Sequence, residues 1–137
     1  KIIYAAIENS SDKDKNAIID VTSSIDFRVK LYNFTKEEKI YVGFDLLTTK
    51  GDIVFGSGKK FNCKKNSISE IVCHIPPNLL NDNQYQIFLY ILTDNMSELY
   101  NNKDLLMFEV KDVKRELGYL GKINGLIRPK LDWAINE

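Results

Sequence analysis

A single histidine, His74, is all the imidazole this sequence offers. It directly follows Cys73, and adjacent residues of a strand point to opposite faces, so the two cannot form a thiolate–imidazole dyad. No second histidine exists to share a metal. The two cysteines, Cys63 and Cys73, make neither a CxxC pair nor a zinc spacing. They would bridge in an exported domain; reduced thiols in a cytosolic one are the expectation on compartment grounds. Charge of one sign is also missing: 19 Lys plus Arg balance 19 Asp plus Glu. A partner chosen by Coulomb attraction, whether nucleic acid or anionic membrane, is therefore not expected. The longest apolar runs, such as "YQIFLYIL" over 85–92, fall far below the roughly 20 residues of a spanning helix. No basic, apolar, small-residue leader opens the chain.

A phosphate-binding loop is missing too, although "IVFGSGKK" over 53–60 invites the comparison. Such a loop needs G-x-x-x-x-G-K-[ST], with backbone amides around the phosphates and a hydroxyl on magnesium. Counting back from Gly58, the first glycine position holds Ile53, and Lys60 stands where the hydroxyl should be. The segment reads as a flexible turn leaving a hairpin. Carboxylates are scattered: Asp45 and Glu109 are candidates to converge across a sheet, but one sequence does not establish a glycosidase pair. "DKDK" over 12–15 lacks the bidentate Glu of a calcium loop and reads as a solvated loop. No catalytic residue, metal or cofactor is expected. The N-x-S/T matches at Asn9, Asn33 and Asn95 carry little weight in a chain rich in Asn and Ser.

What is present is alternation. In "DFRVKLYNF" (26–34), Phe27, Val29 and Leu31 share one face, with Arg28, Lys30 and Tyr32 on the other. In "IYVGFDLL" (40–47), Ile40, Val42, Phe44 and Leu46 oppose Tyr41, Gly43 and Asp45. "KIIYAAIE" at the start, "SEIVCHI" (69–75), "YQIFLYIL" (85–92) and "LLMFEV" (105–110) behave alike, with turns predicted at 36–39, 49–52, 76–78 and 81–83. Period-two patterning with turn punctuation predicts an all-β fold. The expectation is an immunoglobulin-like or jelly-roll β-sandwich of two antiparallel sheets with 7–9 strands, over one domain, 1–137. Residues 118–137 read as a separate C-terminal tail or strand.

With 40–47, 85–92 and 105–110 as neighbours, Ile40, Val42, Phe44, Tyr85, Ile87, Leu89, Ile91, Leu106, Phe108 and Val110 face inward. Tyr41, Asp45, Gln86, Phe88, Tyr90, Met107 and Glu109 then face outward. The other sheet presents Arg28, Lys30, Tyr32, Glu70, Val72 and His74, an ordinary wet surface. Several rings on an open face call for a covering. Protein fits, as the tail or a second subunit. A sugar also fits, its C–H face on the rings and its hydroxyls on Asp, Gln and Glu.

The series "FRVKLYNF", "IYVGFDLLTTKGDIVFGSG", "IVCHIPPNLLNDNQYQIFLYI", "LLMFEV" and "GLIRPKLDW" resembles the C-terminal domain of Wzt-type ATPases over about residues 1–133. These are the nucleotide-binding subunits of ABC transporters that export O-antigen polysaccharide. The carriers are the glycine-bearing hairpin "KGDIVFG", the "IPPNLLNDNQY" segment, a valine-ending strand and the late Trp133. Asn83 stands where the family's turn has glycine, and Asn is the next best left-handed residue. The resemblance implies a non-catalytic β-sandwich that binds the non-reducing end of a lipid-linked glycan in the cytoplasm and so selects finished polymer for export. It implies a homodimer, in some members through an exchanged terminal strand, and a permease reached through an ATPase preceding Lys1. No binding residue transfers by motif. From the face analysis, Tyr41, Phe88 and Tyr90 are the expected stacking surfaces, with Asp45, Gln86 and Glu109 bonding hydroxyls. Trp133 is expected as a lid on the sandwich edge or a dimer seam rather than a sugar platform. The competing reading is an immunoglobulin-like protein-interaction module; a glycoside-processing enzyme stands third.

Overall fold

Alternation along the chain becomes alternation of faces. The computed structural model describes residues 1–14, 16–113 and 122–135. Among these are seven strands: β1 (Ile2–Asn9), β2 (Ile25–Asn33), β3 (Lys39–Thr48), β4 (Ile53–Asn62), β5 (Ser67–Ile75), β6 (Asn83–Thr93) and β7 (Glu98–Val110). They form a three-stranded sheet, β1-β2-β5, and a four-stranded sheet, β4-β3-β6-β7, antiparallel throughout. The predicted β-sandwich holds, and β3, β6 and β7 are neighbours as expected. No helix among the described residues is long and apolar enough to cross a membrane.

The inner faces meet as the periodicity requires. Phe27, Val29 and Leu31 of β2 are buried together with Ile40, Val42, Phe44 and Leu46 of β3 and Tyr85, Ile87, Leu89 and Ile91 of β6. Leu106 and Phe108 of β7 pack against this core, and Val110 completes it. Phe27 meets Phe44 edge-on, with ring centroids 5.0 Å apart. The buried Tyr85 hydroxyl needs a partner, and donates to the Asn81 carbonyl at 2.6 Å. Burial, with the nearby Asp82 charge, pushes its pKa up to about 12. Cys63 is buried and Cys73 partly so; both are free thiols.

Four expectations need correction. Residues 53–62 are strand β4, not a flexible turn: Gly56 and Gly58 are strand residues beneath Asp45 and Tyr41 of β3. Asn83 is not a left-handed turn residue but opens β6, paired with Val110; the left-handed position in that loop is Asn78, at φ 59°. β7 begins at Glu98, well before residue 105, because irregularities in its pairing between Ile87 and Leu89 and between Ile91 and Leu92 break the alternation that marks a strand. Trp133 is no lid on this sandwich: it is 92% exposed.

Of the tail expected over 118–137, residues 118–121 and 136–137 lie outside the described residues, as does Lys15 of "DKDK". The described part is held by Asn81, whose amide nitrogen donates to the carbonyls of Ile123 (2.7 Å) and Gly125 (2.6 Å). Ile127 bridges Leu80, the Arg128 amide donates to the Leu79 carbonyl at 2.6 Å, and its guanidinium reaches Asp112 at 3.2 Å. Beyond this anchor Leu131, Trp133 and Ile135 are exposed.

Candidate functional site

The outer face of the four-stranded sheet carries the candidate site. Register places Gly43 opposite Tyr90, Asp45 opposite Phe88 and Tyr41 opposite Leu92. On the β4 side Tyr41 faces Lys60, Gly43 faces Gly58 and Asp45 faces Gly56. Gly56, Gly58 and Gly43 thus lie side by side, a lane without side chains between rows that have them.

The large side chains lie down across this lane. A methyl on Gly43 would stand 2.5 Å from Tyr90 Cε2 and 2.8 Å from Tyr41 Cε1. One on Gly56 would stand 2.6 Å from Asp45 Oδ1, and one on Gly58 would meet the Tyr41 hydroxyl. None of these three glycines has a positive φ. They are needed for close approach, not for turning. The result is a low platform: Tyr41 and Tyr90 stack with centroids 6.2 Å apart and planes 19° from parallel. Phe88 stands edge-on to Tyr90 at 5.7 Å.

Polar groups border the rings. Asp45 lies over Gly56, and Lys60 holds Asp94 at 2.8 Å, its ammonium drawing the Asp94 carboxyl below its ordinary value. Asn101, opposite Tyr90 on β7, donates to Glu98 at 2.7 Å. Burial first, then the neighbouring Tyr41 and Asp45 oxygens, push the Tyr90 phenol above its usual value. It therefore stays a hydrogen-bond donor at neutral pH. Flat apolar faces bordered by donors and acceptors can cover a ring-shaped, hydroxyl-rich molecule. Nothing in the arrangement supplies a nucleophile activated by a base, and no His, Cys, Asp or Glu group among the described residues could hold a metal ion.

The structure thus brings together Tyr41, Asp45, Phe88 and Tyr90. Gln86 is one alternation further along the same face of β6, opposite Leu47 and Met107. Glu109 stands apart. It faces Gln84, so by strand spacing and rise it lies roughly 16 Å from Asp45 across the sheet. That exceeds the separation of paired glycosidase carboxylates. Glu109 instead has Lys111 at 3.9 Å. Sequence reasoning missed Lys60, Asp94, Asn101 and the two β4 glycines. The signal was there in Gly56 and Gly58, two apart as strand alternation demands.

The other outward face is spent on its own charges: Arg28 bonds Glu8 at 2.8 Å and Glu70 at 2.6 Å, and Lys30 lies 3.5 Å from Glu70. His74, exposed as expected, has Nδ1 2.5 Å from Oδ1 of buried Asp26.

No protein-family model matches the chain, and no curated protein matches it. Among solved structures, the C-terminal domain of Wzt superposes with a TM-score of 0.79 at 16% sequence identity, covering 99% of this chain and 83% of that one. Chicken MD-1 complexed with lipid IVa matches at a TM-score of 0.40 and 16% identity, over 77% of this chain and 88% of that one, too slight a likeness to bear on the fold. The chain has the β-sandwich fold of the Wzt C-terminal domain, as the sequence resemblance led us to expect.

Proposed function

We propose that the platform of Tyr41, Phe88 and Tyr90 on the outer face of β3 and β6 binds carbohydrate. In this reading the chain is the glycan-recognition domain of an O-antigen export transporter and performs no chemistry of its own. The likeness to the Wzt C-terminal domain supports the class. The observation that carries the site is the pair of near-parallel tyrosines lying close over Gly43 and Gly58. Rings held this way stack on the C–H face of a pyranose, while Asp45 and the Lys60–Asp94 pair offer bonds to its hydroxyls. The end of the polymer is the portion that a single shallow platform engages, which suits selection of finished chains at the cytoplasmic face before a permease moves them. Binding is weak, because each sugar hydroxyl exchanges water for an equally good partner.

A protein contact is favoured at a different place. The exposed Leu131, Trp133 and Ile135 form an apolar strip beyond the Arg128 anchor. A second copy of the chain is the partner this reading assigns to it, giving a homodimer and leaving the platforms open.

Calorimetric titration with purified O-antigen polysaccharide from the organism encoding the chain tests the site. Tyr90→Ala and Phe88→Ala are each expected to weaken binding roughly tenfold, the scale of a lost ring contact of 1–2 kcal/mol. Unchanged binding in both variants overturns the platform and moves the search to the Arg28, Lys30 and Tyr32 face.

A further inference from the structure

The sandwich does not close along the side where β4 and β5 form its edges. A cavity of about 370 Å³ opens there between the sheets. That volume lies within the roughly 300–1,000 Å³ of small-molecule sites. Its walls are Phe27, Val29, Val42, Phe44, Phe61 and Ile71, all from the apolar inner faces. It lies behind the sheet that carries Tyr41 and Tyr90 and is independent of the carbohydrate reading.

Two polar residues face into this cleft against the pattern. Val42 pairs with Lys59 and Phe44 with Ser57, so Lys59 and Ser57 lie on the inner face of β4, where a closed sandwich would place apolar residues. Across the gap, Phe27 pairs with Cys73, which puts the thiol on the inner face of β5. Lys59 and His74 line the mouth, and no carboxylate lines the cavity. Asp26, close enough to act on the Cys73 thiol, is paired with His74. An inward lysine on an edge strand also guards against strand pairing with other chains. That role explains Lys59 but not the apolar hollow beside it.

We propose that this cleft binds a single alkyl chain ending in an anionic head, with the chain between the sheets and the head at the Lys59 ammonium. A carboxylate and a lipid phosphate present the same chemistry to Lys59. The cavity accepts the chain against Phe27, Val29, Val42, Phe44, Phe61 and Ile71, whose desolvation drives entry.

Cys73 reports occupancy. Burial, with Asp26 beyond it, raises its thiol above the ordinary value, so it reacts slowly but measurably with a thiol probe. Cys63 is 1% exposed and stays silent. Modification of Cys73 by monobromobimane is followed in the wild-type chain with decanoate, decyl phosphate or decyltrimethylammonium, each below its micelle-forming concentration. Saturable slowing by either anion, and none by the cation, is the expected result. Whichever anion protects at the lower concentration separates a free fatty acid from a lipid phosphate as the source. Lys59→Glu is expected to weaken protection by the anions about fivefold, the effect of one half-exposed charge contact. Ser57→Phe, which fills the cavity from an exposed position, abolishes it. Absent protection, or equal protection by anion and cation, overturns the proposal; circular dichroism of both variants confirms that they fold.

Discussion

Gly43 sits where two tyrosine rings cross, and its missing Cβ decides how high they stand above the sheet. Gly43→Ala forces both rings off the backbone, and overpacking of this kind costs roughly 1–3 kcal/mol. Urea unfolding is expected to show that loss, with carbohydrate binding lost as well. Gly58→Ala displaces only the free end of Tyr41 and is expected to cost less than Gly43→Ala in the same measurement. Tyr85 makes a second residue-scale case. Its hydroxyl bonds the Asn81 carbonyl, so Tyr85→Phe is expected to lose about 1 kcal/mol at neutral pH. The folded state holds the phenol proton up to about pH 12, while an unfolded tyrosine releases it near 10. The unfolded state therefore binds fewer protons in that window, and stability falls as pH rises through it. Tyr85→Phe removes this component, so its deficit against wild type is expected to shrink in urea unfolding at pH near 11. Single residues were the hardest to read in advance. Tyr41, Asp45, Phe88 and Tyr90 followed from parity alone, whereas the Lys60–Asp94 pair depends on a turn bringing Asp94 back beside β4, which no local pattern encodes.

Strands were legible wherever one face is wet and the other dry. β2, β3 and β6 declared themselves by period two, and the inward residues named from the sequence are those that fill the core. β4 was hidden by composition, since Gly56, Ser57 and Gly58 read as a flexible turn until the side chains of β3 are laid over them. β7 was shortened because its pairing with β6 shifts register twice. Central and edge strands should respond differently to truncation. Leu89, with no exposed surface in β6, is expected to cost about 2–5 kcal/mol as Leu89→Ala. Met107 of β7, 67% exposed, is expected to change stability by no more than about 0.5 kcal/mol as Met107→Ala. Paired urea midpoints check both.

At the scale of the molecule, the sequence motifs led to the same sandwich that superposes on the Wzt C-terminal domain. The exposed end of the tail was not legible: a lone tryptophan after "RP" reads as a lid or a seam residue, and no local pattern marks it as standing clear of the sandwich. A chain ending after Pro129 keeps the Asn81 and Arg128 anchor and loses the apolar strip. If the strip joins two copies, light scattering is expected to find the full chain at twice the mass of a single copy and the shortened one at the mass of one.

Two bonds of that anchor rest on one nitrogen atom. Asn81 is 1% exposed, and its amide supplies both donors that fasten the backbone at Ile123 and Gly125. Deamidation would change neither its size nor its shape, yet would set a negative oxygen against two carbonyls, which the Arg128 contact offsets only in part. Ageing of this single side chain would thus loosen the C-terminal segment at Ile123 and Gly125, leaving the Arg128 amide on Leu79 to hold it while the sandwich endures.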